Sequence, residues 1–165
     1  MDAMRLVPAE EFTPWDFAPP PRAPSAFLPE AFRRLDAFDT ETTEAAKTLI
    51  MDALFGEVVS QFPRLKVWKS VAVETDTLAG IADYLITPRR AYVATPLLCR
   101  ENNTRDGFTR PVWGIVSNAQ SWQFYCLTAA DVVHKSGQLS VGQLPELVGA
   151  LYFLCQECVD AAGAS

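Results

Sequence analysis

Apolar residues recur at helical spacing most clearly between Thr40 and Gln61. On a wheel of about 100° per residue, Ala46, Leu49, Ile50, Ala53 and Leu54 form one stripe, with Glu57 in its middle. Thr40 or Thr42 can cap this helix, Glu41 and Glu44 give it an acidic first turn, and Pro63 closes it. The spacing then shortens. Leu65–Val73, Ala79–Ile86 and Ala91–Cys99 predict three strands in an antiparallel meander. Arg100–Arg110 is polar and predicts a loop. Val112–Ser117 and Trp122–Leu127, joined by Asn118-Ala119-Gln120-Ser121, predict a hairpin. His134–Gly142 reads as a polar link, and Leu144–Ala161 as a terminal helix with Leu147, Leu151, Leu154 and Cys158 on one face.

Residues 1–30 carry seven of the twelve prolines, including Pro19-Pro20-Pro21. Such a run predicts neither helix nor internal strand, because proline lacks the N–H that both ladders need. Residues 1–35 are therefore expected to form an extended arm leading into a single α/β (α+β) domain, 36–165. Trp15, Phe17, Phe27 and Phe32 make the arm too apolar for a free tail, so it should lie on the domain or on a partner.

The composition, 49% hydrophobic and 21% charged, allows one real core without disulfides or metals. A net charge of −6 argues against a uniformly basic nucleic-acid coat. One stretch differs. From Thr87 to Arg110, five arginines (Arg89, Arg90, Arg100, Arg105, Arg110) face only Glu101 and Asp106, a local +3. That stretch is either a solvated loop or a phosphate-binding patch. The start of the chain lacks a signal-peptide pattern, and no apolar run spans a bilayer, so no membrane association and a cytoplasmic location are expected. Cys99, Cys126, Cys155 and Cys158 are then reduced thiols. Cys155-x-x-Cys158 lies in an apolar helical context, which favours packed core thiols over a zinc site.

Phe55-Gly56-Glu57-Val58, Leu65-Lys66-Val67-Trp68-Lys69, Gly80-Ile81-Ala82-Asp83-Tyr84-Leu85 and Tyr92-Val93-Ala94-Thr95-Pro96-Leu97-Leu98-Cys99 carry a resemblance. So do Val112-Trp113-Gly114-Ile115-Val116-Ser117-Asn118 and Trp122-Gln123-Phe124-Tyr125. Together these segments resemble the PD-(D/E)XK restriction-endonuclease-like family. The nearest part of it is the set of small bacterial relatives of the type I restriction enzyme R-subunit N-terminal domain. The resemblance implies a nuclease core in which carboxylates hold Mg²⁺ and a lysine steadies the attacking water. Asp83 matches the family's first metal-binding acid. The family's Glu-x-Lys and the helix after it have no counterpart, since Cys99 runs directly into Arg100-Glu101-Asn102-Asn103.

Glu101 is the one remnant candidate for the second acid, out of register by one residue. The resemblance also implies a helix glutamate at Glu44, while helical periodicity favours Glu57, where a buried charge would be costly. Each has a plain structural alternative: a dipole partner for Glu44, a helix-end acid for Glu57 and a turn acid for Asp83.

Three functions fit these residues. One is a degenerate nuclease-like domain that binds DNA, through Arg89, Arg90, Arg100 and Arg105, or binds a partner. Another is a structural or protein-interaction module using Trp15, Trp68, Trp113 and the arm. The third is a residual Mg²⁺-dependent nuclease built on Asp83 and Glu101. With the family's second helix absent, Val112–Ser117 should lie antiparallel to or distant from Tyr92–Leu98, or follow a helix-free crossover. Leu97, Ile115 or Val116 should then be uncovered, favouring self-association.

Overall fold

The structure, a computed structural model, describes residues 12–40, 42–74, 79–88, 111–128 and 132–163. It is mixed α/β, with three helices and two separate sheets among these residues. Chain order is β1 (Thr13–Trp15), α1 (Phe27–Leu35), α2 (Glu44–Val59), β2 (Leu65–Glu74), β3 (Ala79–Pro88), β4 (Val112–Ser117), β5 (Ser121–Leu127), β6 (Val133–Ser140) and α3 (Leu144–Gly163). One sheet runs β1-β6-β5-β4 and the other is the antiparallel pair β2-β3. The expected third meander strand, Ala91–Cys99, and with it the placement of Tyr92–Leu98, lies outside the described residues.

Helix α2 forms because Thr43 caps it: its backbone is extended and its hydroxyl accepts the Ala46 N–H at 3.1 Å. The cap is thus neither Thr40 nor Thr42, and Thr42 instead donates to Asp39. The single-stripe expectation also fails. Ile50, Ala53, Leu54, Phe55, Val58 and Val59 are all buried and point around most of the helix. A helix apolar on nearly every side must be covered on nearly every side. Neighbours α1, α3 and β2 supply the cover, and Phe55 joins the two sheets, its ring 4.9 Å from Tyr84 and 5.8 Å from Trp122.

Two elements depart from the sequence pattern at the N-terminus. Phe27–Leu35 is a helix rather than part of an extended arm. Pro29 sits in its first turn, where no intrahelical N–H is required. Leu28, Ala31, Phe32 and Leu35 recur at helical spacing and pack into the core. Upstream, Thr13–Trp15 pairs in parallel with β6, at the edge where proline is tolerated.

The polar link is likewise a strand. β6 was hidden because only Ser136 is buried along it. The β5–β6 register shifts between Gln123 and Tyr125, and there the Ser136 hydroxyl accepts the Phe124 N–H at 3.0 Å. A side chain thus fills the ladder position that the bulge vacates. The β4–β5 hairpin matches expectation, with Asn118 Oδ1 accepting the N–H groups of Gln120 and Ser121 in its turn. Along β5, Trp122, Phe124 and Cys126 face inward in strict alternation. On β4, Ile115 packs against the core while Val116 is 62% exposed.

The segment from Phe12 to Ser25 lies across the sheet and α3. Trp15 and Phe17 join Trp113, Phe124 and Phe153 in one aromatic cluster, with ring centroids 4.2–5.8 Å apart. Arg22 stacks 3.3 Å over the Tyr152 ring and donates its N–H to the Pro145 carbonyl. Pro20 crosses α3 directly over Gly149, where a Cβ would run into its carbonyl oxygen. The arm is therefore docked on its own domain.

Gly149 allows a test by sign. Helix propensity alone makes Gly→Ala in a helix interior stabilising by about 1 kcal/mol. The backbone of Pro20 cannot yield as a flexible side chain would, and such overpacking costs about 1–3 kcal/mol. Gly149→Ala is expected to lower the urea midpoint, and a raised midpoint would place the strap elsewhere.

Candidate functional site

The acids singled out in the sequence do not converge. Glu57 lies in the last turn of α2 and is 5% exposed. Its Oε1 accepts the Ser25 N–H at 2.7 Å and its Oε2 accepts the Ser25 hydroxyl at 2.7 Å. Both oxygens thus serve the segment that leads into α1. Ser25 Oγ also accepts the Phe27 N–H at 3.2 Å, so the carboxylate stands at the positive end of α1. An open depression of about 520 Å³, lined by Ala23, Phe27, Gly56, Ser60 and Gln61, borders this pair.

Glu44 begins α2 on the surface and pairs with Lys47 at 2.9 Å, in line with its plain alternative as a first-turn acid. Asp83 is exposed on β3. Across the strand pair from it is Ser70, whose φ of 52° is left-handed and which takes no place in the β2–β3 register. A non-glycine residue there costs about 1–3 kcal/mol. Glu101, Arg89, Arg90, Arg100 and Arg105 lie outside the described residues.

A different cluster forms where β2 and β3 meet α2. Asp52 Oδ2 pairs with Lys69 Nζ at 2.8 Å, and Asp52 Oδ1 accepts the Tyr84 hydroxyl at 2.8 Å. The Tyr84 hydroxyl also lies 3.3 Å from the Thr48 carbonyl oxygen, and the Lys69 ammonium stands 5.2 Å from the Tyr84 ring centroid. Burial, then the hydrogen bond to Asp52 and the charges of Asp52 and Asp83, raise the Tyr84 hydroxyl above the usual tyrosine range. On the other face of the pair, Trp68 donates its indole N–H to Thr87 at 3.1 Å, with Lys66 over its ring.

The sequence marked Lys69 and Tyr84 only within motif segments and gave no sign of Asp52. A lysine and an acid 17 positions apart, on different elements, carry no local signature. For Ser25 one signal existed: a core-facing glutamate requires donors.

Among the described residues, no group of three or more His, Cys, Asp or Glu could hold a metal. The acids considered for Mg²⁺ do not converge on one here: Glu57, favoured by helical periodicity, accepts a Ser25 hydrogen bond at each oxygen, Glu44 is paired with Lys47, and Asp83 stands on the exposed side of β3. No helix among the described residues is long and apolar enough to cross a membrane.

The thiols are likewise quiet. Cys126 and Cys155 are buried and Cys158 partly so, all unbonded. Burial, with the neighbouring Cys158, pushes Cys155 up to about 12, and burial with Glu157 raises Cys126 and Cys158.

These shifts fix the sign of the alkaline response. A raised pKa means that the folded protein keeps a proton which the unfolded chain releases. Stability is therefore intact below the unfolded thiol value, near pH 9, and falls as pH rises toward the folded value. For Cys155 the slope is about 1.4 kcal/mol per pH unit across that window, with Tyr84 adding loss above about pH 10. Urea midpoints at pH 7.5 and 10.5 should show a marked drop, and equal midpoints would contradict the burial of these groups.

No protein-family model, curated protein or solved structure matches this chain.

Proposed function

We propose that this chain is a nuclease-like domain that binds without cutting. The observation that carries the reading is the commitment of the α2 carboxylates: Glu57 gives both oxygens to Ser25, and Asp52 gives one to Lys69 and one to Tyr84. A carboxylate that serves as a metal ligand keeps at least one oxygen for the ion, and a lysine that steadies a nucleophile keeps its ammonium for the reacting centre. Further support is the resemblance of the β2, β3 and β4–β5 segments to the restriction-endonuclease-like family. In this reading Asp83 is a remnant of the metal site, and Arg89, Arg90, Arg100 and Arg105 supply the positive charge for DNA phosphates.

A second reading, a protein-interaction module, is favoured by separate observations. The net charge is −6, and Arg33 and Arg34 pair with Glu30 while Lys47 pairs with Glu44. Apolar side chains also stand in solvent, Ile81 at 74% and Val116 at 62% exposed.

The experiment incubates purified protein with plasmid and single-stranded DNA in Mg²⁺ or Mn²⁺, and follows binding of labelled duplex by fluorescence anisotropy at several salt concentrations. The expected result is no specific cleavage. Losing one charge-stabilising group in such a site typically costs about 10²–10³ in rate, and losing a metal ligand compounds it. Salt-dependent duplex binding weakened by Arg89→Ala with Arg90→Ala supports DNA as the ligand, whereas no binding leaves the protein-interaction reading. Cleavage abolished by both Asp83→Ala and Glu101→Ala would overturn the proposal and establish a residual Mg²⁺-dependent nuclease.

A further inference from the structure

The C-terminal end of α2 is negative and carries no cation of its own. The helix runs 16 residues, its last turn holds no basic residue, and Glu57 adds a buried carboxylate at that same end. The side chains that donate to the Glu57 carbonyl oxygen are neutral, the Ser60 hydroxyl at 3.0 Å and the Gln61 amide at 3.2 Å. The depression of about 520 Å³ opens here, a size that takes a small group, and none of the described residues lining it is basic.

Gly56 carries the second observation. Glycine is a weaker helix former than alanine, so in the interior of a helix it is retained at a cost. Here no atom lies within 4 Å of the place its Cβ would take. Close packing within the fold therefore does not require it. Its effect is to leave the α2 backbone bare on the floor of the depression, while Phe27, 53% exposed, sets an aromatic ring among the lining residues.

We infer that this depression receives the guanidinium group of an arginine side chain borne by a partner protein. A guanidinium brings the charge that the helix end and Glu57 favour, donates in a planar fork, and stacks on an aromatic ring such as Phe27. Each Glu57 oxygen accepts one bond from Ser25, and a carboxylate offers about four acceptor positions, so the fork adds to those bonds without breaking them. The bare backbone at Gly56 admits the flat group closely. A free amino acid suits the site less, because no described lining residue is a cation that could meet its α-carboxylate. The inference stands apart from the DNA reading and does not depend on it.

The test titrates full-length, isotope-labelled protein at low ionic strength with acetyl-Gly-Arg-Gly-amide and follows the backbone N–H signals by NMR. Parallel titrations use the same peptide with citrulline in place of arginine, which keeps the shape and removes the charge, and free L-arginine. Gly56→Leu fills the floor of the depression, and Phe27→Ala removes the stacking ring. Gly56→Ala, followed by its urea midpoint, reports whether the floor is open.

The expected result is saturable shifts centred on Gly56 and Gln61 with the arginine peptide, lost with citrulline and several-fold weaker in Gly56→Leu and in Phe27→Ala. Gly56→Ala should raise the urea midpoint. The proposal is overturned if the arginine peptide gives no shifts at millimolar concentration, if the citrulline peptide binds equally, or if free arginine binds as tightly as the peptide. Unchanged binding in either folded variant overturns it as well. So does a lowered midpoint for Gly56→Ala, which would mean that the floor is already filled.

Discussion

A carboxylate in the last turn of an apolar helix is poorly placed on two counts. It faces the negative end of its own helix dipole, and burial strips the water that would stabilise its charge, at a cost of several kcal/mol. Glu57 is held in that position because Ser25 meets both of its oxygens, and because Ser25 leads directly into α1, whose N-terminal end is positive. Hydrogen bonds to a charged group are worth about 1.5–3 kcal/mol each, so the pair can offset much of the desolvation cost. The same two bonds fix where the arm ends and where α1 begins. Docking of the strap on α3 and of α1 on α2 follows from that anchor.

Helix α2 sets the second condition. Because its apolar residues reach most of its circumference, it cannot rest on one sheet as an amphipathic helix does. The four-stranded sheet, the β2–β3 pair, α1 and α3 enclose it together, and Phe55 touches an aromatic ring from each sheet. Where the enclosure meets solvent, Asp52, Lys69 and Tyr84 close it with polar contacts instead of apolar ones. The exposed Lys69–Asp52 pair contributes little by itself. Its value lies in orienting Tyr84, whose ring is packed and whose hydroxyl needs a partner.

The sequence showed what periodicity and turn chemistry can show. The β2, β3, β4 and β5 strands and the α3 helix each carry an apolar pattern of the right period, α2 is an apolar run closed by Pro63, and the bounds of all six moved by only a few residues. β6 carries no such pattern, since a hydroxyl, Ser136, occupies its one buried position. α1 was masked by the proline count around it, although Leu28, Ala31, Phe32 and Leu35 already spelled a helical face. At the candidate site, the periodicity that placed Glu57 in the core was sound, but its partner stands 32 residues away and leaves no local mark. The family resemblance assigned roles to acids one at a time, whereas chemistry needs them convergent, and convergence is a property of the fold.

Glu57 is thus an anchor, and an anchor differs from a catalytic acid in the sign of its effect on stability. Replacing an unpaired functional acid tends to stabilise a fold, because active sites hold groups at the expense of stability. Replacing an acid that ties two elements together destabilises it. The most direct measurement is a double-mutant cycle of unfolding free energies for Ser25→Ala, Glu57→Gln and the pair. An anchoring Glu57 predicts that each single change destabilises, with a coupling of about 1–3 kcal/mol between them. Additive effects within about 0.5 kcal/mol, or a Glu57→Gln protein more stable than the parent, would contradict it.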